Sequence, residues 1–239
     1  MLRNNLVYFW IIVLCSIVVT SAIVSSKKVK YNAHLICSDR YLYRKSHSIT
    51  ILRQLDLFKL NVFDAVYPTQ KIVDNKYECS LSIGKYGCNV SHRKVWKEII
   101  NNNNISNNEW VFIFEDDIDL PSNYTPYQIQ LLMKKDLRRA TRENADIIYF
   151  GHCFKHLCTH AYAVKKKSLQ ILYDNTYDCR EEKPAVIDGQ MKHAIINDNK
   201  LSAIYSMNAP KKTLNFGDGL IHQLNGSTIG YSYKESSTI

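Results

Sequence analysis

The sequence predicts an α/β domain, and three observations support this prediction. Trp110 to Phe114 form an unbroken apolar and aromatic run, which is typical of a strand buried on both faces. Tyr31 to Cys37 and Val62 to Val66 are strand-like and enclose a helical pattern, which indicates a βαβ unit. Strands and helices then alternate along most of the chain, as in layered α/β domains.

Two helices are predicted before the central strand. Ser46 caps a helical pattern of apolar residues that follows the first strand. Gly84 to Asn89 has the composition of a turn, and Ser91 is the predicted N-cap of a helix from His92 to Ile100. The asparagines at 101–104 end that helix.

The second half of the chain contains further strands and helices. Apolar residues at helical spacing predict a helix over Tyr127 to Glu143. Asp188 could cap another helix that runs through Ile196. The other predicted elements are buried strands at Ile147 to Gly151 and Ala161 to Val164, a helix at Ser168 to Tyr173 and an edge strand at Leu201 to Met207.

The central strand ends in three carboxylates, Glu115, Asp116 and Asp117. They repel one another and resist burial unless a positive group lies between them. Ligands of open α/β sheets bind at this end of the strands, and Mg²⁺ and Mn²⁺ prefer carboxylate and phosphate oxygens. Because side chains alternate along a strand, we expect Glu115 and Asp117 to face a metal and Asp116 to point the opposite way. The alternative is a solvated turn or a helix cap.

The net charge of +9 suits an anionic partner. The basic residues are scattered and are not interleaved with aromatic residues, so no nucleic acid is expected as a partner.

The N-terminus contains 19 residues without a charge, Leu6 to Val24, which is long enough to span a bilayer. We therefore expect residues 1–30 to be a signal anchor with a short linker, and residues 31–239 to be the catalytic domain. The expected location is that of a single-pass type II membrane protein with its domain in the ER or Golgi lumen, and the charges on either side of the segment do not decide its orientation. The alternative is secretion after cleavage near Thr20-Ser21-Ala22.

Cysteines and glycosylation motifs are compatible with such a lumen. Disulfides such as Cys79–Cys88 or Cys153–Cys158 are possible, but the sequence does not choose among pairings. N-x-S/T motifs occur at Asn89, Asn104, Asn123 and Asn225. The first and the last fall in segments assigned below to the site, and whether they are modified stays open.

The order of motifs resembles glycosyltransferase family 25. Gly84-x-x-Gly87-Cys-x-x-Ser91-His92-x-x-x-Trp96 is followed by a polar loop and by Phe-Ile-Phe-Glu115-Asp116-Asp117. Further segments that resemble the family are Asp39-Arg40 with Arg44, Thr159-His160-Ala161-Tyr162, Pro184 with Asp188, and Gln223 with Ser227. The resemblance covers nearly everything after Tyr31.

The resemblance implies a GT-A-like (Rossmann-like) nucleotide-sugar-binding domain with a mixed, mostly parallel sheet flanked by helices. A divalent metal, usually Mn²⁺, would link the donor diphosphate to Glu115 and Asp117. The reaction would move a hexose, with galactose as the first candidate, from a UDP-sugar to a hydroxyl of a glycan or protein, with inversion. The rival is a non-catalytic glycosyltransferase-like protein that binds sugar or a partner.

An inverting displacement needs a general base for the acceptor proton, and Asp188 is the candidate, with a plain N-cap as its alternative. His92, at the first turn of its predicted helix, could contact the diphosphate near backbone N–H groups, while Trp96 packs in the core. Asp39 and Arg40, just after the first strand, could hold the ribose or phosphate. Asp116 completes the predicted donor-binding set.

Overall fold

A six-stranded sheet forms the centre of the computed structural model, which describes residues 30–69, 81–152, 159–179, 186–206 and 218–223. The chain divides into two units, Met1–Lys30 and Tyr31–Ile239, and the elements below belong to the second. The strands are β1 (Tyr31–Cys37), β2 (Phe58–Asp64), β3 (Trp110–Glu115), β4 (Ile118–Asp119), β5 (Ile147–Tyr149), β6 (Gly151–His152), β7 (Ala161–Lys165), β8 (Ala203–Tyr205), β9 (Asp218–Gly219) and β10 (His222–Gln223).

The strand order is β2-β1-β3-β7-β5-β8. β1 pairs in parallel with β2 and β3, and β5 pairs in parallel with β8, while β7 is antiparallel to β3 and β5. β4 with β10 and β6 with β9 form two small antiparallel pairs. The predicted fold class, an α/β domain with a mixed, mostly parallel sheet, is confirmed.

Helices flank this sheet. They are α1 (Leu42–Gln54), α2 (Ile83–Asn101), α3 (Pro126–Arg142), α4 (Lys166–Asp174) and α5 (Ile187–Lys192). A short 3₁₀ helix, Asp39–Tyr41, precedes α1, and a π-helical turn, His193–Asn197, follows α5. Thr125 begins α3 with a capping box, because its hydroxyl accepts from the Gln128 N–H and the Gln128 side chain accepts from the Thr125 N–H.

β3 is buried on both faces, as its sequence predicted. Phe112 and Phe114 belong to the apolar cluster that contains residues of α1 and α3. Val111 and Ile113 belong to a second cluster, with residues of α2, α4 and α5. Alternate side chains of one strand therefore join two helical layers, which explains why β3 is apolar at successive positions.

Some element boundaries differ from the predictions. β1, β3 and α3 lie within one residue of their expected bounds, but α1 begins at Leu42 rather than after Ser46. The second strand is Phe58–Asp64 rather than Val62 to Val66. α2 begins at Ile83, so the expected turn at Gly84 to Asn89 is helical.

A close contact with the segment that follows β2 explains why Gly87 lies within this helix. A Cβ on Gly87 would lie 2.6 Å from the Val66 carbonyl oxygen, so this approach requires glycine. Four residues later, the Ser91 hydroxyl accepts from the Val66 N–H at 2.8 Å and donates to the Gly87 carbonyl at 2.7 Å. Ser91 is thus a link between α2 and the β2 end, not an N-cap.

The predicted membrane location is overturned. Among the described residues, no helix is long and apolar enough to cross a membrane. The longest of them, α2, has 19 residues but carries five charged side chains, Lys85, Arg93, Lys94, Lys97 and Glu98. The segment Leu6 to Val24 and the cleavage site at Thr20-Ser21-Ala22, on which the predictions of an anchor or of secretion rested, lie outside the described residues.

The cysteine and glycosylation predictions are resolved in part. Cys88 is a free thiol, so a Cys79–Cys88 disulfide is wrong, while Cys153 and Cys158 lie outside the described residues. The Asn89 side chain is fully buried and donates to the Asp178 carbonyl, so the folded chain does not present it for glycosylation. The exposed motifs are Asn104 and Asn123, and Asn225 lies outside the described residues.

Gly87→Ala should destabilise the fold by about 1–3 kcal/mol, because the added methyl group collides with backbone that cannot move freely. Gly84→Ala is the matched control, since nothing lies within 4 Å of its Cβ position. Alanine in a helix should there be neutral or stabilise by up to about 1 kcal/mol. Urea unfolding of both variants measures the difference, and equal effects would contradict the close contact.

Candidate active site

The carboxyl ends of β1, β2 and β3 border a cavity of about 510 Å³, which we call the larger cavity. β1 lies between β2 and β3, so the strand order reverses between β1 and β3. Open α/β sheets bind ligands at such a switch point, outside the carboxyl ends of the strands. The lining residues that matter below are Tyr41, Arg44, Tyr67, Lys85, Glu115 and Asp116.

The acid triplet lies at this switch point. Glu115 is the last residue of β3, and Asp116 and Asp117 form the turn that leads into β4. The alternation of side chains therefore stops at Glu115. The prediction that Asp116 points opposite to Glu115 was wrong, because both residues line the larger cavity. Asp117 is fully buried, and its Oδ2 accepts from Gln223 Nε2 at 2.7 Å.

Arg44 supplies positive charge between two of these carboxylates. Its Nη2 lies 2.6 Å from Asp116 Oδ1 and 3.6 Å from Asp117 Oδ2. The Ser38 N–H also donates to Asp116, at 3.2 Å. Burial nevertheless raises the pKa of the Asp116 carboxyl, and Arg44 only opposes this effect. One guanidinium balances one of three negative charges, so the triplet remains acidic.

A chain of buried hydrogen bonds holds Glu115. Its Oε1 lies 3.1 Å from His92 Nε2 and accepts from the Thr159 hydroxyl at 2.5 Å. The Trp96 indole N–H, which can only donate, donates to the Tyr162 hydroxyl at 2.8 Å. The Tyr162 hydroxyl then donates its own hydrogen bond to His92 Nδ1, 3.0 Å away. His92 Nε2 therefore carries the ring hydrogen and donates it to Glu115.

The electrostatics of Glu115 follow from this chain. Burial works to raise the pKa of its carboxyl, but the hydrogen bonds that it accepts from His92 and from the Thr159 hydroxyl hold this pKa below the ordinary value. Glu115 is therefore held as a carboxylate.

His92 does not occupy the position that the sequence predicted. Because α2 begins at Ile83, His92 lies in the third turn of the helix, away from the free N–H groups of its first turn. Its ring bridges Glu115 and Tyr162, and it also lines the larger cavity. The prediction that Trp96 belongs to the core agrees with its full burial.

Asp39 and Arg40 are not among the described residues that line the larger cavity. Asp39 forms an ion pair with Lys45, with 2.6 Å between Oδ1 and Nζ, and its side chain is largely exposed. The Arg40 guanidinium lies 3.7 Å from the ring centre of Tyr67, which does line the cavity. The predicted direct contacts of both residues with the donor are therefore not supported by their placement.

Asp188 lies at a second cavity of about 70 Å³, which we call the smaller cavity. It shares Lys85, Cys88 and Glu115 with the larger cavity, and its other polar lining residues are Thr159, His160, Asp188 and Gln223. Val186 is the N-cap of α5 and Asp188 lies in the first turn, so the alternative that Asp188 is the N-cap was wrong. Its Oδ1 accepts from the Gly189 N–H at 2.7 Å.

The prediction of site residues missed Arg44, Tyr162 and Gln223, each of which contacts the acid triplet or the His92 ring. All three lie in segments that resemble the family. The order of those segments was therefore the sequence feature that could have identified these residues as part of the site, although the resemblance gave them no individual role.

Two sets of side chains near Glu115 could hold a metal. One ligand atom each from Cys88, His92 and Glu115 lies within 4.8 Å of the others. In the present arrangement His92 Nε2 carries a hydrogen, and burial with the nearby Glu115 raises the pKa of the Cys88 thiol, so neither is ready to coordinate. The carboxylates of the triplet fit better, because they are hard oxygen ligands with uncompensated negative charge.

A family model described as glycosyltransferase family 25 (LPS biosynthesis protein) matches residues 34–153, which are 120 of the 239 residues. The match includes the α2 motif and the acid triplet, and it ends before Thr159, Asp188 and Gln223. A search of curated proteins found no match.

Several solved structures are distantly similar. GlyE, a glycosyltransferase of Streptococcus pneumoniae TIGR4, is 11% identical with a TM-score of 0.43, and the match covers 74% of this chain and 45% of GlyE. The galactosyltransferase LgtC, solved with donor and acceptor sugar analogues, is 8% identical over 82% of this chain and 87% of its own, with a TM-score of 0.40. A 4-diphosphocytidyl-2C-methyl-D-erythritol synthase is 7% identical over 74% and 88%, with a TM-score of 0.41. These likenesses are too distant to bear on the chemistry of the site.

Glu115 should make stability depend on pH in acid. Because its folded pKa lies below the ordinary value of 4.5, its charge stabilises the fold above that pH. This contribution is lost as the pH falls from 4.5 through the folded pKa. Urea unfolding over a pH series should show a steeper loss in wild type than in Glu115→Gln, while the exposed control Glu143→Gln should follow wild type. Parallel curves for wild type and Glu115→Gln would contradict the assignment.

Proposed function

Because the chain belongs to glycosyltransferase family 25, we propose that it transfers a hexose, with galactose as the first candidate, from a UDP-sugar to a hydroxyl group of a glycan or protein, with inversion at the anomeric carbon. The observation that carries the proposal is the acid triplet at the switch point between β1 and β3, where Glu115 and Asp116 line the larger cavity and Asp117 is fully buried next to them in the chain. This is where an α/β sheet of this order binds its ligand.

The larger cavity would hold the nucleotide. Tyr41 and Tyr67 line it, and these residues are 41% and 43% exposed, so they are the candidates for stacking on uracil. Arg40 would act through Tyr67, whose ring it covers. Lys85 and Arg44 bring positive charge to the same lining, which favours the diphosphate.

Glu115 and Asp117 are the proposed ligands of a divalent metal, with Mn²⁺ as the first candidate, and Asp116 joins them because it lines the larger cavity. When bound, the metal would neutralise negative charge that develops on the leaving diphosphate. The residues of the chain prepare the site for it. Arg44 limits the repulsion within the triplet, and the hydrogen bonds from His92 and Thr159 keep Glu115 ionised and fixed.

Asp188 is the proposed general base. Asp188 lines the smaller cavity, which shares Glu115 with the larger one, so the base would lie beside the sugar of a donor whose nucleotide occupies the larger cavity. In the displacement, the acceptor oxygen forms the new bond to the anomeric carbon, the bond to the diphosphate breaks, and the acceptor proton passes to Asp188.

The rival is a binding protein without catalysis, and one observation favours it. Arg44 already lies between Asp116 and Asp117, where it provides part of the charge that a metal would provide. Turnover separates the two functions, because a binding protein would retain a UDP-sugar without releasing UDP.

Wild type should release UDP from one member of a panel of UDP-sugars when Mn²⁺ is present and not after chelation. Asp117→Asn should lose this activity and weaken Mn²⁺-dependent UDP binding by about 100-fold or more, because it removes a charged ligand. The control is Asp119→Asn, two residues along, whose carboxylate is 45% exposed and contacts His47. Wild-type binding in Asp117→Asn would contradict the metal assignment, and UDP binding without turnover of any donor would favour the rival.

Asp188→Asn should lower kcat by about 10²–10⁴-fold, because the amide cannot accept the proton. The dissociation constant for UDP should stay unchanged, because the nucleotide occupies the larger cavity. Donor hydrolysis, with water as acceptor, and calorimetry measure the two quantities. An unchanged kcat would remove Asp188 from the mechanism.

A further inference from the structure

The His160 ring has one nitrogen whose role is fixed by the protein. The ring is 1% exposed, and its Nε2 lies 3.1 Å from the Ile221 carbonyl oxygen. A carbonyl oxygen can only accept a hydrogen bond, so Nε2 carries the hydrogen. In the neutral imidazole, Nδ1 is then an acceptor.

His160 Nδ1 is buried and has no hydrogen-bond partner among the described residues. A buried acceptor without a partner costs about 1–3 kcal/mol, and such groups in folded proteins are usually explained by a ligand or an ordered water. His160 lines the smaller cavity, beside Asp188 and Gln223. The cavity therefore offers a place for the missing partner.

The His160 ring can occupy this place because Gly151 has no side chain. A Cβ on Gly151 would lie 1.8 Å from His160 Nε2 and 2.6 Å from two ring carbons. The ring thus lies directly on the β6 backbone, and its position is set before any ligand binds. A fixed acceptor binds a ligand group at little entropic cost.

The charges of the smaller cavity indicate which chemical class fits. The carboxylates of Glu115 and Asp188 line it with one positive residue, Lys85, so a net negative charge remains that disfavours a phosphate or carboxylate ligand. A hydroxyl is neutral, and it can donate to Nδ1 or to a carboxylate oxygen. The residues shared with the larger cavity, Lys85, Cys88 and Glu115, connect this place to the proposed nucleotide site.

We propose that the smaller cavity is a subsite for a hydroxyl group of the donor sugar, and that His160 Nδ1 is the atom that binds it. This inference rests on the proposed function, because it takes the sugar to extend from a nucleotide in the larger cavity.

Two substitutions separate the two ring nitrogens. His160→Gln keeps a nitrogen near the Nε2 position, where it can donate to Ile221, but offers no acceptor near Nδ1. His160→Asn places its amide oxygen near Nδ1 and gives up the contact with Ile221. Calorimetry on the full chain with Mn²⁺ would compare UDP with the UDP-sugar that wild type binds most tightly.

His160→Gln should weaken binding of the UDP-sugar by about tenfold, the scale of one hydrogen bond, and leave UDP binding unchanged. His160→Asn should recover most of the UDP-sugar affinity. Equal losses for UDP and UDP-sugar would indicate a structural role and overturn the proposal. No loss of affinity for either ligand would indicate a water-filled cavity and would also overturn the proposal. Equal losses of UDP-sugar affinity in His160→Gln and His160→Asn would exclude Nδ1 as the contact and would overturn it as well.

The UDP arm separates this proposal from the function on which it rests. A wild-type chain that binds UDP and UDP-sugar equally would overturn the sugar subsite alone. A wild-type chain that binds neither would overturn the proposed function, and the subsite with it.

Discussion

The burial of three adjacent carboxylates is the constraint on which the rest of the site depends. Glu115, Asp116 and Asp117 follow a strand that is buried on both faces, and each is almost inaccessible to solvent. Different parts of the fold supply their partners: α1 gives Arg44, α2 gives His92, and β10 gives Gln223. Partial compensation leaves an acidic site that can accept a cation, which full pairing would prevent.

The approach of α2 to the end of β2 places one of these partners. Gly87 and Ser91 hold the helix against Val66, and this contact sets where His92, one residue later, meets Glu115. Behind the ring, Tyr162 and Trp96 fix its tautomer. Four residues of this motif therefore act together: Gly87 and Ser91 fix the helix, His92 contacts the acid, and Trp96 helps to orient that contact.

The sequence was sufficient for the fold class and for the location of the acids, because apolar periodicity and a carboxylate cluster are strong local signals. It failed where tertiary contacts override local preference. Glycines at 84 and 87 predicted a turn, but the segment is helical, and the glycine at 87 allows the close contact with Val66. Because α1 begins at Leu42, Arg44 rather than Asp39 or Arg40 reaches the acids. His160 Nδ1 is an acceptor because Nε2 donates to the Ile221 carbonyl, 61 residues away, and no local sequence pattern reveals this contact.

Anomalous diffraction from crystals of the chain grown with UDP and Mn²⁺ would test the central claim most directly, because it locates the metal itself. The account predicts a manganese peak beside the carboxylates of Glu115, Asp116 and Asp117, with the UDP diphosphate next to it in the larger cavity. UDP bound in that cavity without manganese at the triplet, or manganese bound elsewhere, would contradict the account.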